Sequence, residues 1–267
     1  MLKSKITPRK LLQMKQSGEK IVALTAYDVV SASLLNEAGC EIVLVGDSLG
    51  MVIQGHSTTL PVTIDDMIYH TRCVARANIN SMIVADMPFL TYHTSIQDAV
   101  TNAGALIQKG SAEAVKLEGG ADMAPVISRL VSAGIPVMGH IGLTPQDVLN
   151  VGGFFVQGVD KESASELMED ALTLQEAGVF ALVLECIPAQ LAEKISRQLT
   201  IPTIGIGAGC GCDGQVLVLH DMLGLFKRFK PKFVKTYASL YDDALKAVAQ
   251  YRDEVKDGRF PAGDQSY

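Results

Sequence analysis

Short apolar runs rich in β-branched residues recur along the chain at 21–25, 42–45, 82–85, 114–117, 136–139, 181–184, 202–206 and 215–219. The runs are continuous rather than alternating. That predicts strands covered on both faces, as in a parallel sheet. Between them, apolar residues fall at helical spacing over 28–38, 63–77, 95–109, 123–133, 163–177 and 188–199. Four of these helices close on a glycine, Gly39, Gly110, Gly134 or Gly178, the residue that most readily takes a left-handed helix end. Thr63-Ile64-Asp65-Asp66 is an N-terminal capping signal.

Eight such strands with intervening helices in about 250 residues predict an α/β fold, a (β/α)8 TIM barrel. The competing open, doubly wound sheet would call for a G-x-G-x-x-G turn leading from a strand into a helix. The glycine-rich Gly205-Ile206-Gly207-Ala208-Gly209 instead runs into Cys210-Gly211-Cys212-Asp213. Thr7-Pro8 starts an N-terminal helix that stops near Gly18, a cap for the bottom of the barrel within residues 1–20. Residues 231–256 read as a helical region, followed by a turn-rich tail, so that 231–267 completes one catalytic domain spanning 1–267.

Composition narrows the function classes. Of 267 residues, 48% are hydrophobic and 19% charged, which supports a large core and excludes a disordered chain. The net charge of −6 lacks the basic footprint that nucleic acid requires. No apolar run reaches the length of a membrane span, and no apolar stretch of a secretory signal follows Met1-Leu2-Lys3-Ser4-Lys5. Five cysteines, none at zinc-site spacing, fit a reduced, cytoplasmic setting.

In a parallel barrel the chemistry sits at the C-terminal ends of the strands. There the chain places Asp47, Asp86, Glu118, His140 and Glu185. Asp47, Asp86 and Glu118 follow consecutive strands, which lie about 4.8 Å apart. Three converging carboxylates repel one another, and a hard cation such as Mg2+ resolves that repulsion with oxygen ligands. One such acid alone reads as a loop cap or an ion-pair partner; three at matching strand ends point to the metal. Lys116 stands two residues before Glu118 and shares its face, which suits an anionic substrate or a Lys116–Glu118 pair. Glu185, set across an apolar wall, suits a general base or a salt-bridged strand end. His140 could bind substrate, shuttle a proton or hold a loop. Cys186 points to the opposite face from Glu185 and reads as a buried, structural thiol.

The run Val45-Gly46-Asp47-Ser48-Leu49-Gly50-Met51 resembles the ketopantoate hydroxymethyltransferase family. So do Ala85-Asp86-Met87-Pro88-Phe89, Val115-Lys116-Leu117-Glu118-Gly119-Gly120, Gly139-His140-Ile141-Gly142-Leu143-Thr144-Pro145-Gln146 and Leu184-Glu185-Cys186-Ile187-Pro188. The matches run in order from about residue 20 to 225.

The resemblance implies transfer of a hydroxymethyl group from 5,10-methylenetetrahydrofolate to the small 2-oxo acid 3-methyl-2-oxobutanoate, giving 2-dehydropantoate in pantothenate biosynthesis. It implies Mg2+ at Asp47, Asp86 and Glu118, oxo-acid contacts from Asp47, Ser48, Asp86 and Lys116, and Glu185 as proton acceptor. It further implies a homodecamer. His140 and the loop 205–214 are candidates to line the folate site. The alternative is a Mg2+-dependent C–C lyase or mutase of the phosphoenolpyruvate mutase/isocitrate lyase type. Such an enzyme would carry a nucleophilic cysteine after the fourth strand, where this chain has Gly119-Gly120-Ala121-Asp122.

Overall fold

The computed structural model describes residues 4–77, 79–153, 155–228 and 230–267. Among the described residues, eight parallel strands close a barrel in chain order. They are β1 (Ile21–Thr25), β2 (Ile42–Val45), β3 (Met82–Asp86), β4 (Ala114–Glu118), β5 (Val137–Gly142), β6 (Ala181–Glu185), β7 (Thr203–Ile206) and β8 (Gly214–Leu217). The chain splits into two compact units, Met1–Val218 and Leu219–Tyr267, and the barrel belongs to the first.

The helices of the first unit are α1 (Pro8–Ser17), α2 (Val29–Ala38), α3 (Leu49–Val52), α4 (Ile64–Ala75), α5 (Ile96–Gln108), α6 (Ala124–Ser132), α7 (Val148–Val151), α8 (Lys161–Ala177) and α9 (Ala189–Gln198). The capping residues start them as the sequence predicts. Thr7 caps α1, with Pro8 following, Asp28 caps α2, and Thr63 and Asp66 close a reciprocal box on α4. The short helical turns α3 and α7 were not expected. At the end of α5 the left-handed residue is Ser111 rather than Gly110. Gly110 serves packing there, since a Cβ would lie 2.5 Å from the Leu106 carbonyl oxygen.

One core fills the barrel from below. Ile21, Ile42, Met82, Ala114, Ala181 and Val216 pack with Ile6, Leu11 and Met14, so α1 plugs the N-terminal end of the strands. Lys5 Nζ fastens that plug by donating to the carbonyls of Ile79 and Ser81.

The second unit holds α10 (Leu219–Met222) and α11 (Leu240–Lys256). Residues 231–239, expected to be helical, are not. Tyr237 N–H donates to Met222 O there, and Val234 N–H to Pro231 O in a single turn. The eighth strand likewise ends at Leu217, because α10 takes over at Leu219. Among the described residues, no helix is long and apolar enough to cross a membrane.

Candidate active site

Side chains alternate along a strand, so the inward stripe of each barrel strand is fixed by its lower residues. Met82 and Val84 face the core, and the next inward position on β3 is Asp86. By the same count β4 brings in Lys116 and Glu118 above Ala114, β5 brings His140 above Met138, and β6 brings Glu185 above Val183. The apolar stripe thus turns ionisable at the C-terminal end of four adjacent strands. Register aligns them, with Asp86 opposite Lys116 and Glu118 opposite His140.

His140 was expected at a strand end, but β5 runs on to Gly142 and places it inside the ladder. It is 3% exposed, so it lies beneath the barrel mouth rather than along it. Its Nδ1 stands 3.3 Å from Lys116 Nζ and 3.5 Å from Glu118 Oε1, and its Nε2 stands 3.2 Å from Glu185 Oε2. Glu185 therefore meets an imidazole rather than an apolar wall.

Asp47 and Ser48 lie just past β2, in the turn that opens α3. The Asp47 backbone N–H donates to Asp86 Oδ2 at 3.1 Å. Ser48 Oγ and the Tyr27 hydroxyl share a hydrogen bond of 2.8 Å. Gly46 lets this turn close, since a Cβ there would lie 2.8 Å from Ser48 Oγ.

Lys116 Nζ makes its shorter ion contact with Asp86 Oδ1 at 3.0 Å, against 4.0 Å to Glu118 Oε1. Asp47, Asp86, Lys116, Glu118 and His140 are all buried. Burial, then the charges of Asp86 and Glu118, hold the Asp47 carboxyl well above the usual carboxylate range. Burial also raises Asp86, against the pull of Lys116. Glu118 is lowered, because contacts with His140, Lys116 and the Gln146 N–H outweigh its burial. Burial and Lys116 pull the His140 imidazolium down, but Glu118 and Glu185 outweigh them and raise its pKa to about 9.

Two residues of this cluster carry no expectation from the sequence as site residues. Gln146 Nε2 donates to Asp47 Oδ2 at 2.8 Å, and the Gln146 backbone N–H donates to Glu118 Oε2 at 3.0 Å. The Tyr92 hydroxyl donates to Gln146 Oε1 at 2.8 Å. Beside Glu118 opens a cavity of about 410 Å³ walled by Phe89, Tyr92, His93, Ile141, Leu167 and Asp170. Cys186 is half-buried rather than buried, and burial beside Glu185 pushes its thiol up to about 12.

A divalent cation fits this cluster by charge and donor type. Three buried carboxylates outnumber Lys116 and His140, and all the acidic donors are oxygens, which favours a hard cation. Burial first, and then the neighbouring carboxylates, disfavour charge on Asp47, a cost that a bound cation would offset. Asp86 Oδ1 meets only the Lys116 ammonium, at 3.0 Å, among the described residues, so a lone pair remains for a metal. The side chains stand turned toward Lys116, His140 and Gln146. Among the described residues, no three His, Cys, Asp or Glu groups are gathered at metal-ligand spacing.

A family model for ketopantoate hydroxymethyltransferase matches residues 5–263. The chain belongs to the ketopantoate hydroxymethyltransferase family. It is an enzyme of that type. The 3-methyl-2-oxobutanoate hydroxymethyltransferase of Moorella thermoacetica is 56% identical over 99% of this chain and 98% of its own length. The protein of the same name from Syntrophus aciditrophicus is 57% identical over 98% and 97%. Among solved structures, phosphonopyruvate hydrolase in complex with oxalate and Mg2+ superposes with a TM-score of 0.63 at 12% identity, over 97% of this chain and 93% of that one. A 2,3-dimethylmalate lyase of the phosphoenolpyruvate mutase/isocitrate lyase superfamily gives 0.62 at 14%, over 100% and 89%. At such identity these two share the fold with this chain, a (β/α)8 barrel.

Proposed function

We propose that this enzyme transfers a hydroxymethyl group from 5,10-methylenetetrahydrofolate to 3-methyl-2-oxobutanoate, giving 2-dehydropantoate and tetrahydrofolate for pantothenate biosynthesis. The observation that carries the reading is the buried charge ladder Asp86–Lys116–Glu118–His140–Glu185 across β3 to β6. A buried lysine among acids suits a small 2-oxo acid, whose carboxylate takes the ammonium's remaining donors. Ser48 offers a hydroxyl to the same carboxylate, beside Asp47 and Asp86.

Asp47, Asp86 and Glu118 would hold Mg2+. When bound, the cation supplies Lewis-acid stabilisation of the negative charge that develops on the keto oxygen. Glu185 accepts the C3 proton. His140, on the inner side of Glu185 with its Nε2 3.2 Å from Oε2, holds positive charge beside the carboxylate before the proton arrives. The C3 carbon then bonds to the methylene carbon of the folate as that carbon's bond to one folate nitrogen breaks, and water displaces the second nitrogen. Water supplies the hydroxyl oxygen, and the folate nitrogens regain their protons. We further infer a homodecamer from the family, and one catalytic domain over 1–267 and a cytoplasmic setting from the sequence.

Exchange of the C3 proton of 3-methyl-2-oxobutanoate in D2O, followed by NMR with and without Mg2+, tests the reading. The expected result is Mg2+-dependent exchange that Glu185→Gln abolishes. Absence of exchange in the wild type, with tetrahydrofolate also present, would sink it.

A further inference from the structure

We propose that Gln146 is a positioning residue, a clamp that fixes Asp47 and Glu118 relative to each other so that both carboxylates meet the cation and oxo acid in one orientation. The proposal rests on the function reading above.

The geometry determines which way the Gln146 amide points. Met87 O and Asp47 Oδ2 are both acceptors, at 3.0 and 2.8 Å, so the NH2 end must face them. The carbonyl end then faces Tyr92. The Tyr92 oxygen accepts from the Glu118 N–H at 3.2 Å, so its single proton goes to Gln146 Oε1. The Gln146 main chain closes the circuit by donating to Glu118 Oε2. Glu118 is thus tied to Gln146 through its side chain directly and through its backbone by way of Tyr92. Asp47 is tied through one oxygen only.

Gln146 is 4% exposed and uses both amide hydrogens and its carbonyl. Its reach spans from the loop after β5 to the turn after β2. Asparagine is shorter by one C–C bond, about 1.5 Å, and loses contact with at least one end. Groups that orient metal-bound carboxylates typically contribute ten- to a hundredfold in metal affinity. A merely structural glutamine would lower the melting temperature and leave the metal affinity of the folded protein unchanged.

The test is Mn2+ binding followed by EPR in the presence of 3-methyl-2-oxobutanoate, alongside C3 exchange kinetics, for wild type, Gln146→Asn, Gln146→Leu and Tyr92→Phe. The expected result is a ten- to hundredfold rise in the Mn2+ Kd for both Gln146 variants, a smaller rise for Tyr92→Phe, and a fall in the kcat of exchange. If a Gln146 variant does not fold, Tyr92→Phe removes only the hydroxyl that orients the amide and decides the matter. Wild-type binding with Kd values within twofold in the folded variants overturns the clamp alone. A wild type that binds no Mn2+ and exchanges no proton overturns the function reading and the clamp with it.

Discussion

Asp86 and Lys116 are register partners on adjacent barrel strands, and their side chains meet inside the barrel at 3.0 Å. This contact sets the charge balance of the site. Lys116 stands among three buried carboxylates, and their charges raise its pKa against its burial. Replacing it by Met keeps the volume and removes the charge. Removing one partner of a buried pair leaves an uncompensated charge and costs about 3–5 kcal/mol. Lys116→Met is therefore expected to melt well below the wild type. Its melting temperature should rise more on adding Mg2+ than the wild type's does, because the metal replaces the missing positive charge. Differential scanning fluorimetry with and without Mg2+ checks both parts. An unchanged melting temperature would show that the pair does not govern the site.

Much of this arrangement was legible in the sequence. The apolar runs place all eight strands within a few residues, because parallel strands buried on both faces leave a continuous signal. The strand-end acids and Lys116 stand out for the opposite reason, as charges where the pattern demands apolar residues. Gln146 and Tyr92 were not visible as site residues. A glutamine in a loop and a tyrosine near a strand end are ordinary until three-dimensional proximity shows what they bond. The partner of Glu185 was hidden likewise, since the length of β5 decides whether His140 faces the interior. Residues 231–239 misled because helix-compatible composition there does not form a helix, and Tyr237 N–H pairs with Met222 O instead.

The start of α4 offers a local test of stability. Thr63 Oγ1 accepts from the Asp66 N–H at 3.2 Å, while the Thr63 N–H and hydroxyl both donate to Asp66 Oδ2, at 2.9 and 2.7 Å. Slight burial pushes Asp66 up, but these donors outweigh it and lower its pKa. Thr63→Ala is expected to cost about 1 kcal/mol at neutral pH. The sign with pH follows from the lowered carboxyl. Its contribution is present above the unfolded aspartate pKa of about 3.9 and is lost as pH falls through the folded value. Urea denaturation at pH 7 and at pH 3 should show the gap between wild type and variant narrowing in acid.

Cys186 adjoins Glu185 yet is poorly suited to nucleophilic work. With its thiol pushed up to about 12, the thiolate fraction at pH 8 is on the order of one in ten thousand. Cys210 is exposed. Iodoacetamide at pH 8 is expected to label Cys210 first and leave Cys186 unmodified, with C3 exchange retained. Peptide mapping by mass spectrometry, with exchange measured on the same sample, checks this. Early labelling of Cys186 would contradict it.

Gly142 ends β5 opposite Glu185 in the ladder, and the glycine is needed for two independent reasons. Its φ of +94° lies where side chains are strained. A Cβ would also lie 2.2 Å from the Glu185 carbonyl oxygen and 2.8 Å from an Ile187 methyl. The first contact is with backbone, so the neighbour cannot simply rotate away. Gly142→Ala must then push the end of β6 outward, and the base moves with it. Backbone strain of this kind costs about 1–3 kcal/mol, and the displacement adds to the loss in rate. The expected outcome is a lowered melting temperature together with at least a tenfold fall in the kcat of C3 exchange. A KM for 3-methyl-2-oxobutanoate close to the wild type's should accompany it, because Lys116 and Ser48 lie on other strands and turns. A variant that melts lower but exchanges at the wild-type rate would show that the position of Glu185 does not depend on Gly142.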